Sequence, residues 1–371
     1  VLGASGSGKT TLLYARIRAR AEAGKRSILL VPEQFTSSTE ARIYRELGDA
    51  LSGMVESYSF TSLAEHILAV EGGAAVQTLT DAGRAVLVRR ALEELQDNVH
   101  YYYRHRRSAA FCQMAAETID ELKSAGLSGQ QLQELARDCG TESAKLGELA
   151  LIFQGYESLL AGTGMDPADR LELAADRLEA ALARDELPDF LREREVFIDE
   201  FDTFNAPKKR LMGAMLAALP AVTVALCEDG APMQPGDLEL FSGAKQVAAQ
   251  LRQLARKNGA QVAAPELLRR DLRHKDAPGL AALTELLETG SCTPPESAPE
   301  LRLFAAASRE EEARCAAAAI RRLMRQGVRC GKIAVVCRDI SLYRAAVRYE
   351  FRMAEIPLSV SYTHLTLPTN R

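Results

Sequence analysis

Residues 3–10 read Gly-Ala-Ser-Gly-Ser-Gly-Lys-Thr, a complete GxxxxGK(S/T) pattern at the start of a 371-residue chain. Val1 and Leu2 have the apolar character of a strand end, and residues 11–23 (TLLYARIRARAEA) have the apolar spacing of a helix. A strand, a glycine-rich loop and a helix in this order are typical of phosphate-binding loops. The alternative is a glycine-rich turn without function, which requires both the pattern and its flanks to arise by chance. We therefore predict a nucleotide-binding α/β fold.

The residue types in this loop suit a bound triphosphate. Backbone N–H groups in a glycine-rich turn point toward phosphates, and the N-terminus of the following helix adds its dipole. We expect Lys9 to reach the β- and γ-phosphates of ATP and Thr10 to ligate Mg²⁺. The other predicted contacts with the nucleotide come from the loop residues Gly3, Ala4, Ser5, Gly6, Ser7 and Gly8.

Strand-like and helix-like segments alternate near the start of the chain and again after residue 190. Short apolar runs predict buried parallel strands at 27–31, 54–57, 195–198 and 221–226. Apolar residues three and four apart predict helices at 37–47, 61–70, 207–219 and 237–257. This order of elements predicts a doubly wound parallel sheet.

The region between these two halves has helical periodicity throughout. The predicted helices cover 81–96, 108–125, 128–137, 141–160 and 166–184, and each opens on a Ser, Thr or Asp that could cap it. We therefore predict an all-helical subdomain over 78–190, inserted into an α/β domain made of 1–77 and 191–270.

The composition changes after residue 270. Segment 271–300 ends in SCTPPESAPE and is predicted to be an interdomain linker. Beyond it, predicted strands and helices alternate at 301–305, 308–325, 332–337 and 341–353. We therefore expect residues 301–360 to be the start of a further α/β domain.

Both ends of the sequence have unusual features. Only two residues precede the glycine loop, whereas a buried strand is normally longer. We therefore expect the chain to be a piece of a longer protein. Residues 361–371 (SYTHLTLPTNR) differ from the preceding sequence in composition and period, and we expect them to be a non-native tail.

Composition limits the possible environments and partners. The net charge is −4, so nucleic-acid binding would require local basic patches rather than global attraction. The chain has no run of 18 uncharged apolar residues, which argues against a membrane span. Its seven cysteines are scattered without a CxxC pair, as in reduced cytoplasmic proteins. We therefore expect a cytoplasmic protein that does not contact a membrane.

A second indication of nucleotide binding, after the glycine loop, is an acidic pair at the end of the strand predicted at 195–198. Asp199 and Glu200 follow this apolar run directly. In enzymes with a phosphate-binding loop, such an Asp holds Mg²⁺ and such a Glu polarises the attacking water. The alternative is a solvated Asp-Glu pair that closes a strand. Because the pair follows a phosphate-binding loop in the chain, we predict catalytic roles for Asp199 and Glu200 and metal binding for Asp199.

These segments resemble superfamily 1 helicases of the UvrD type. Residues 31–36 (VPEQFT) occupy the place of that group's motif that contacts single-stranded DNA, and residues 58–63 (YSFTSL) resemble its TFHSL element. Residues 197–203 (FIDEFDT) resemble its VDEFQDT element. The resemblance implies a RecA-like domain with a phosphate-binding loop, a helical insertion like the family's 1B domain, and the start of a second RecA-like domain.

Within that group the match is most specific to the B subunit of AddAB-type helicase–nucleases, also called RexB. The pair LVPEQ and SFTSLA carries this match, and residues 237–241 (DLELF) resemble that subunit's ELELF. The resemblance implies ATP binding, a partner motor subunit AddA (RexA), single- and double-stranded DNA as ligands, and double-strand break repair by homologous recombination. An iron–sulfur cluster is implied for a nuclease region that lies beyond residue 371.

Three residues are predicted contacts with single-stranded DNA. Gln34 and Thr36 follow a strand end on the side where helicases hold the strand; the alternative is a Thr36 helix cap beside a solvated Gln. The motif alignment places Phe60 where the family has an aromatic that could stack on a base; the alternative is a core residue. The sequence YYYRHRR at 101–107 also suits nucleic acid, although we favour a solvated turn whose rings fold back on helices.

Two departures from the family argue against a working motor. Superfamily 1 motors have a GDxxQ element where this chain has Cys-Glu-Asp-Gly-Ala at 227–231, and Asp202 replaces the Gln of DEFQD. Ser62 and Glu65 also replace an Arg and a Trp of the family, so any hotspot preference differs or is absent. Two alternatives therefore stay open: an autonomous UvrD-type helicase, and a scaffold whose phosphate-binding loop is vestigial.

Overall fold

The computed structural model describes residues 1–73, 77–232 and 240–359. The predicted tail at 361–371 and the first part of the DLELF match, residues 237–239, lie outside this described part. The described chain divides into two compact units, Val1–Thr293 and Pro294–Arg371.

The first unit contains a parallel sheet. Its strands are β1 (Leu2–Gly3), β2 (Ser27–Leu30), β3 (Val55–Tyr58), β4 (Glu195–Ile198), β5 (Ala221–Val224), β6 (Leu226–Cys227) and β7 (Leu267–Leu268). They form two hydrogen-bonded groups in the orders β6-β1-β7 and β3-β2-β4-β5, and every pairing is parallel. The predicted parallel α/β class is therefore confirmed.

One run of chain joins the two groups of strands. β5 pairs with β4, and β6 pairs with β1, although only Ala225 separates β5 from β6. Ala225 N–H donates to the Ile198 carbonyl at 2.9 Å, and Leu226 N–H donates to the Val1 carbonyl at 2.9 Å. The strand predicted at 221–226 therefore exists but changes partner halfway along its length.

Helices cover both faces of this sheet. The helices of the first unit are α1 (Lys9–Glu22), α2 (Thr36–Leu47), α3 (Asp49–Ser52), α4 (Phe60–Glu71), α5 (Asp81–Glu94), α6 (Ala109–Ser124), α7 (Gly129–Ala136), α8 (Ser143–Leu160), α9 (Pro167–Ala183), α10 (Ala206–Ala218), α11 (Ser242–Lys257) and α12 (Pro278–Thr289). Strand side chains alternate between the two faces, as the pleat requires. Leu29 and Phe197 belong to the core that includes α1 and α2, whereas Ile28 and Val196 belong to the core that includes α4, α9 and α10.

The helical insertion has a core of its own. Val88, Ile119 and Phe153, from α5, α6 and α8, pack in one cluster that contains no strand residue. The insertion is closed at its base by a parallel bridge between Thr78 and Met165. α9 lies beyond this bridge and packs into the core of the sheet rather than into that of the insertion.

The segment predicted as a linker, 271–300, is partly ordered within the first unit. It contains α12, and the unit extends to Thr293. Pro278 occupies the first turn of α12, where its missing N–H costs no intrahelical hydrogen bond. Gly290 ends the helix in a left-handed conformation with φ 78°.

The second unit contains two described helices, α13 (Arg309–Arg325) and α14 (Ile340–Met353), which pack through Ala317, Ile320 and Phe351. Ser308 caps α13 and Asp339 caps α14. The prediction of strands at 301–305 and 332–337 is wrong. A strand needs a hydrogen-bonded neighbour, and neither segment has one within the described ranges of this unit, where Leu303 and Val336 are almost fully exposed.

Candidate functional site

The glycine loop connects β1 to α1, as the sequence predicts. Gly6 and Gly8 have φ values of 84° and 93°, a region that is strained for residues with a Cβ. Gly8 is the N-cap of α1 and offers no side-chain cap. The first N–H groups of α1 are therefore not satisfied by a capping side chain, which is the arrangement that binds anions at helix N-termini.

Lys9 folds back over this loop. Its ammonium donates to the carbonyl oxygens of Gly3 at 2.7 Å and Ala4 at 2.8 Å. Burial lowers the pKa of Lys9, and the nearby Cys227 and Asp199 only partly oppose this shift. The Lys9 charge is thus held by neutral carbonyls, a weaker environment for an ammonium than an ion pair.

Asp199 and Glu200 lie at the end of β4, in the same pocket as Lys9 and Thr10. Asp199 is buried, with 5% of its surface exposed. Glu200 adopts a left-handed conformation with φ 64°, and its N–H donates to Asp199 Oδ1 at 3.0 Å. Such backbone strain in a non-glycine residue is concentrated at functional sites. Desolvation in the pocket, followed by the Asp199 charge, raises the pKa of Glu200.

The pocket has a volume of about 530 Å³, within the roughly 300–1,000 Å³ typical of small-molecule sites. It brings together the predicted residues Ser5, Gly6, Gly8, Lys9, Thr10, Asp199 and Glu200. The other three predicted loop residues, Gly3, Ala4 and Ser7, do not line it. Ser7 is buried, and its Oγ lies so close to Gly3 that a Cβ at Gly3 would approach it to 2.4 Å.

Two arginines in this pocket, Arg42 and Arg273, were not predicted from the sequence. Arg273 donates to Ser5 Oγ at 3.1 Å, and Leu272 N–H donates to the Gly6 carbonyl at 3.0 Å. Assigning 271–300 to a linker concealed this contact. The available signal was an apolar pair, Leu267 and Leu268, directly before a polar stretch, which is the pattern of a short strand entering a site.

Glycine at position 6 is also required by this overlying segment. A Cβ there would lie 2.8 Å from Arg273 Cβ and 2.9 Å from Asp271 Oδ1. Asp271 itself shapes the turn, since its carboxylate accepts the backbone N–H groups of Arg273 at 2.9 Å and His274 at 3.1 Å. The segment therefore fits closely over the loop.

The region that replaces the GDxxQ element contains a buried acid. Glu228 is 4% exposed, and its N–H donates to the Gly3 carbonyl at 3.2 Å. Burial raises the pKa of Glu228, and its Oε2 has no hydrogen-bond partner among the described residues. The contact with the strand that carries the glycine loop is made by the backbone of Glu228, and Glu228 does not line the pocket.

The predicted DNA contacts Gln34 and Thr36 lie after β2. Gln34 is exposed in a short 3₁₀ turn, Glu33–Phe35. The hydroxyl of Thr36 donates to the Glu33 carbonyl at 3.0 Å, and the N-cap of α2 is Phe35, so the alternative role of Thr36 as the N-cap is wrong. Phe35 is 37% exposed and is an aromatic that the sequence motifs did not single out.

Phe60 is a core residue rather than a stacking platform. It is 2% exposed and packs edge-on against Phe201 at 5.3 Å and Phe204 at 6.0 Å. A ring buried in this way offers no face to a base, so the structure supports the alternative interpretation. The neighbouring Ser59 and Ser62 form a capping box at the start of α4, which explains the local sequence.

The loops that follow β2 and β3 nevertheless meet. Thr61, in the first turn of α4, donates its hydroxyl to the carboxylate of Glu33. The loop that carries Gln34 therefore lies against the start of α4 at the carboxyl ends of the strands, where ligands bind in open parallel sheets, and we call this region the Gln34 crevice.

Thr10 and Asp199 are of the types that hold Mg²⁺ beside a nucleotide, where the ion takes one or two protein ligands and otherwise phosphates and water. Among the residues that the structure describes, no three His, Cys, Asp or Glu side chains cluster as they would in a site that holds a metal by protein ligands alone. None of the described helices is long and apolar enough to cross a membrane.

The fold and the pocket together define a parallel α/β protein with a glycine loop, a lysine and an acidic strand end around one site. A family model described as "ADDB, N-terminal" matches residues 1–284. This chain therefore belongs to the AddB N-terminal family.

Curated relatives agree with this assignment. The B subunit of the ATP-dependent helicase/deoxyribonuclease of Desulforudis audaxviator is 34% identical to this chain, in an alignment that covers 96% of this chain and 31% of that protein. The protein of the same name from Moorella thermoacetica is 32% identical, covering 97% of this chain and 32% of that protein. The chain spans about a third of the length of the curated relatives it matches.

Proposed function

We propose that this chain is the N-terminal, helicase-like part of an AddB/RexB subunit, and that it binds Mg-ATP and guides single-stranded DNA during double-strand break repair by homologous recombination. Within this proposal it acts in the cytoplasm, beside an AddA/RexA motor subunit, on single- and double-stranded DNA. The observation that carries the proposal is the pocket in which Lys9, Thr10, Asp199 and Glu200 come together.

Nucleotide binding follows from the chemistry of this pocket. Lys9 would exchange two neutral carbonyls for phosphate oxygens, which are stronger partners for an ammonium. The N–H groups at the start of α1 would donate to the same phosphates. Arg273, held at Ser5, would add a second cation beside the loop. The glycine loop thus has both the donors and the space that a triphosphate needs.

The acidic strand end supplies the groups for hydrolysis. Thr10 and Asp199 would hold Mg²⁺, which when bound neutralises phosphate charge. Glu200, whose pKa is raised by desolvation and by Asp199, would accept a proton from the attacking water. The chain would thus bind ATP and hydrolyse it slowly, whereas the replaced GDxxQ element argues against autonomous unwinding.

We assign DNA guidance to the Gln34 crevice. Gln34 is exposed there, and the Glu33–Thr61 contact holds its loop against α4. Polar side chains at such a strand end suit hydrogen bonds to phosphates and base edges. Phe60 takes no part because it is buried.

The first test is calorimetric binding of Mg-ATP to this protein and its Lys9→Ala variant. We expect at least about tenfold weaker binding, because the charge that faces the phosphates is lost. Lys25→Ala, at an exposed lysine outside the pocket, is the matched control and should bind like the parent. Equal affinity of Lys9→Ala and the parent would favour the scaffold with a vestigial loop.

Measurements of ATP hydrolysis and strand separation distinguish the proposed subunit from an autonomous helicase. Glu200→Gln should retain ATP binding and lose most DNA-stimulated hydrolysis. The purified protein should separate no strands with ATP. Robust unwinding without a partner motor would instead identify an autonomous UvrD-type helicase.

A further inference from the structure

The beginning of the basic and aromatic segment 101–107, in the helical insertion, is held by hydrogen bonds to one side chain. The carboxylate of Glu148 accepts the backbone N–H groups of His100 at 2.9 Å, Tyr101 at 2.8 Å and Tyr102 at 3.1 Å. Burial pushes the pKa of Glu148 upward, but these backbone donors outweigh it and lower the pKa. One side chain from α8 therefore fixes the segment in place.

The three tyrosines of this segment have different surroundings. Tyr102 stacks on Phe111 at 5.6 Å, and the Arg106 guanidinium covers Tyr103 at 4.0 Å. These two rings are partly buried against the helical core, as the interpretation of a solvated turn predicts. Tyr101 differs, because 44% of its surface is exposed. The turn thus presents one ring to solvent.

Cations surround this exposed ring. The Arg104 guanidinium lies 5.6 Å from the centre of the Tyr101 ring, and the Lys145 ammonium lies 5.4 Å from it. Arg107 is exposed three residues beyond Arg104. We call Tyr101, Arg104, Arg107 and Lys145 the Tyr101 patch.

The two arginines of the Tyr101 patch are not neutralised. Neither Arg104 nor Arg107 has a carboxylate within 4 Å in the described part of the chain, and Lys145 pairs with the exposed Glu142 at 2.9 Å. Arg89 and Arg90, in the same insertion, each pair with a glutamate four residues later, at 3.1 and 3.0 Å. The Tyr101 patch therefore keeps positive charge, whereas the charge of Arg89 and Arg90 is compensated by ion pairs.

We propose that the Tyr101 patch is a binding surface for single-stranded nucleic acid, separate from the nucleotide pocket and from the Gln34 crevice. A base would stack on Tyr101, and the phosphates on either side of it would meet Arg104 and Arg107. Stacking on an aromatic ring beside cations is how single strands are bound without sequence preference. Because the bases of a duplex are already stacked on one another, the surface distinguishes single strands from duplex DNA.

The test measures binding of a fluorescent oligothymidylate to this protein over a series of salt concentrations. Tyr101→Ala should weaken binding about tenfold, as expected for the loss of one stacked base. The double variant Arg104→Gln/Arg107→Gln should reduce the slope of log affinity against log salt by about 1.4, because two phosphate contacts are lost. Arg89→Gln/Arg90→Gln removes the same charge from ion-paired positions and should leave the slope unchanged.

Other outcomes would overturn the proposal. If both patch variants keep the parental affinity for oligothymidylate and the parental salt slope while Gln34→Ala loses affinity, the Gln34 crevice is the DNA site and the Tyr101 patch is not. An equal loss of affinity for duplex DNA would contradict the assignment to single strands. Binding of polyglutamate that depends on the two arginines, without any effect on DNA, would instead identify a surface for an acidic protein. Thermal melting of each variant checks that it is folded. Lys9→Ala should bind oligothymidylate like the parent, because the Tyr101 patch is separate from the nucleotide pocket.

Discussion

Lys9 and Lys123 are both partly buried lysines of the same compact unit, yet their pKa values shift in opposite directions. Lys123 meets two carboxylates, Asp166 at 2.9 Å and Asp169 at 2.7 Å. Burial alone would lower the pKa of Lys123, but these two partners raise it. Lys9 meets only carbonyl oxygens within hydrogen-bond distance in the described structure, and burial lowers its pKa.

The difference offers a test that separates a charge with a structural role from one that we propose binds a ligand. Asp166 also caps α9 and accepts the Tyr156 hydroxyl at 2.7 Å, so the Lys123 cluster satisfies its own polar groups. The Lys9 charge is compensated by weak partners that an anion could replace. We therefore expect substitutions in the Lys123 cluster to change stability and substitutions at Lys9 to change binding.

The largest expected effect is on folding. Asp166→Ala should lower the free energy of unfolding by about 3–5 kcal/mol, because it leaves Lys123 with one partner fewer and Tyr156 without its acceptor. Urea denaturation measures this change. Lys9→Met is the matched comparison and should stay within about 1 kcal/mol of the parent. Similar losses in both variants would remove the distinction between the two lysines.

Residues of the Gln34 crevice should likewise divide into those that affect stability and those that affect binding. Phe60→Ala should lower the free energy of unfolding by about 3 kcal/mol, since it leaves a cavity beside Phe201 and Phe204. Its affinity for single-stranded DNA, corrected for the folded fraction, should remain that of the parent. Gln34→Ala should behave in the opposite way, with parental stability and weaker binding. Weaker DNA binding by folded Phe60→Ala would restore the stacking hypothesis.

The smallest expected effect is the change of the free energy of unfolding with pH in the alkaline range. The pKa of Lys9 in the folded protein lies below its ordinary value of 10.5, so its contribution to stability rises with pH between the lowered pKa and 10.5. The pKa of Lys123 lies above 10.5, so its contribution is present below 10.5 and is lost as pH rises through the folded pKa. Each slope should be less than about 1.4 kcal/mol per pH unit.

Unfolding measurements on the parent, Lys9→Met and Lys123→Met across this range give both slopes by difference. Competitive acylation of lysines, read by mass spectrometry, provides a check that needs no variant. The Lys9 amine should become reactive at lower pH than the Lys123 amine. Slopes of the same sign would contradict the comparison.

The sequence predicts most helices and the central strands because each has a local signal. Ser128 and Gln131 form a capping box at α7, and Asp166 with Pro167 marks the start of α9. The apolar run at β4 reflects burial on both faces of a parallel sheet. The glycine loop is recognisable because its backbone conformation restricts which residues can occupy it.

Other features depend on tertiary contacts that leave no local pattern. The change of partner at Ala225 depends on where β1 and β4 lie, and the position of Arg273 depends on the pairing of β7 with β1. Phe60 was assigned to a site by its alignment with a motif, whereas its burial comes from Phe201 and Phe204, which lie far away in sequence. A motif therefore predicts the backbone conformation of the loop, with positive φ at Gly6 and Gly8, but not the orientation of every side chain beside it.

The bridge between Thr78 and Met165 makes the helical insertion modular. The chain leaves the α/β unit and returns to it at neighbouring positions, with Leu79 N–H donating to the Met165 carbonyl at 3.0 Å and Met165 N–H donating to the Gln77 carbonyl at 3.1 Å. A segment that closes on itself in this way adds little loop-closure cost to its host as it lengthens. The intervening stretch could therefore grow, shrink or be exchanged during evolution while the sheet beneath it stays unchanged, and a short turn across the bridge would excise it.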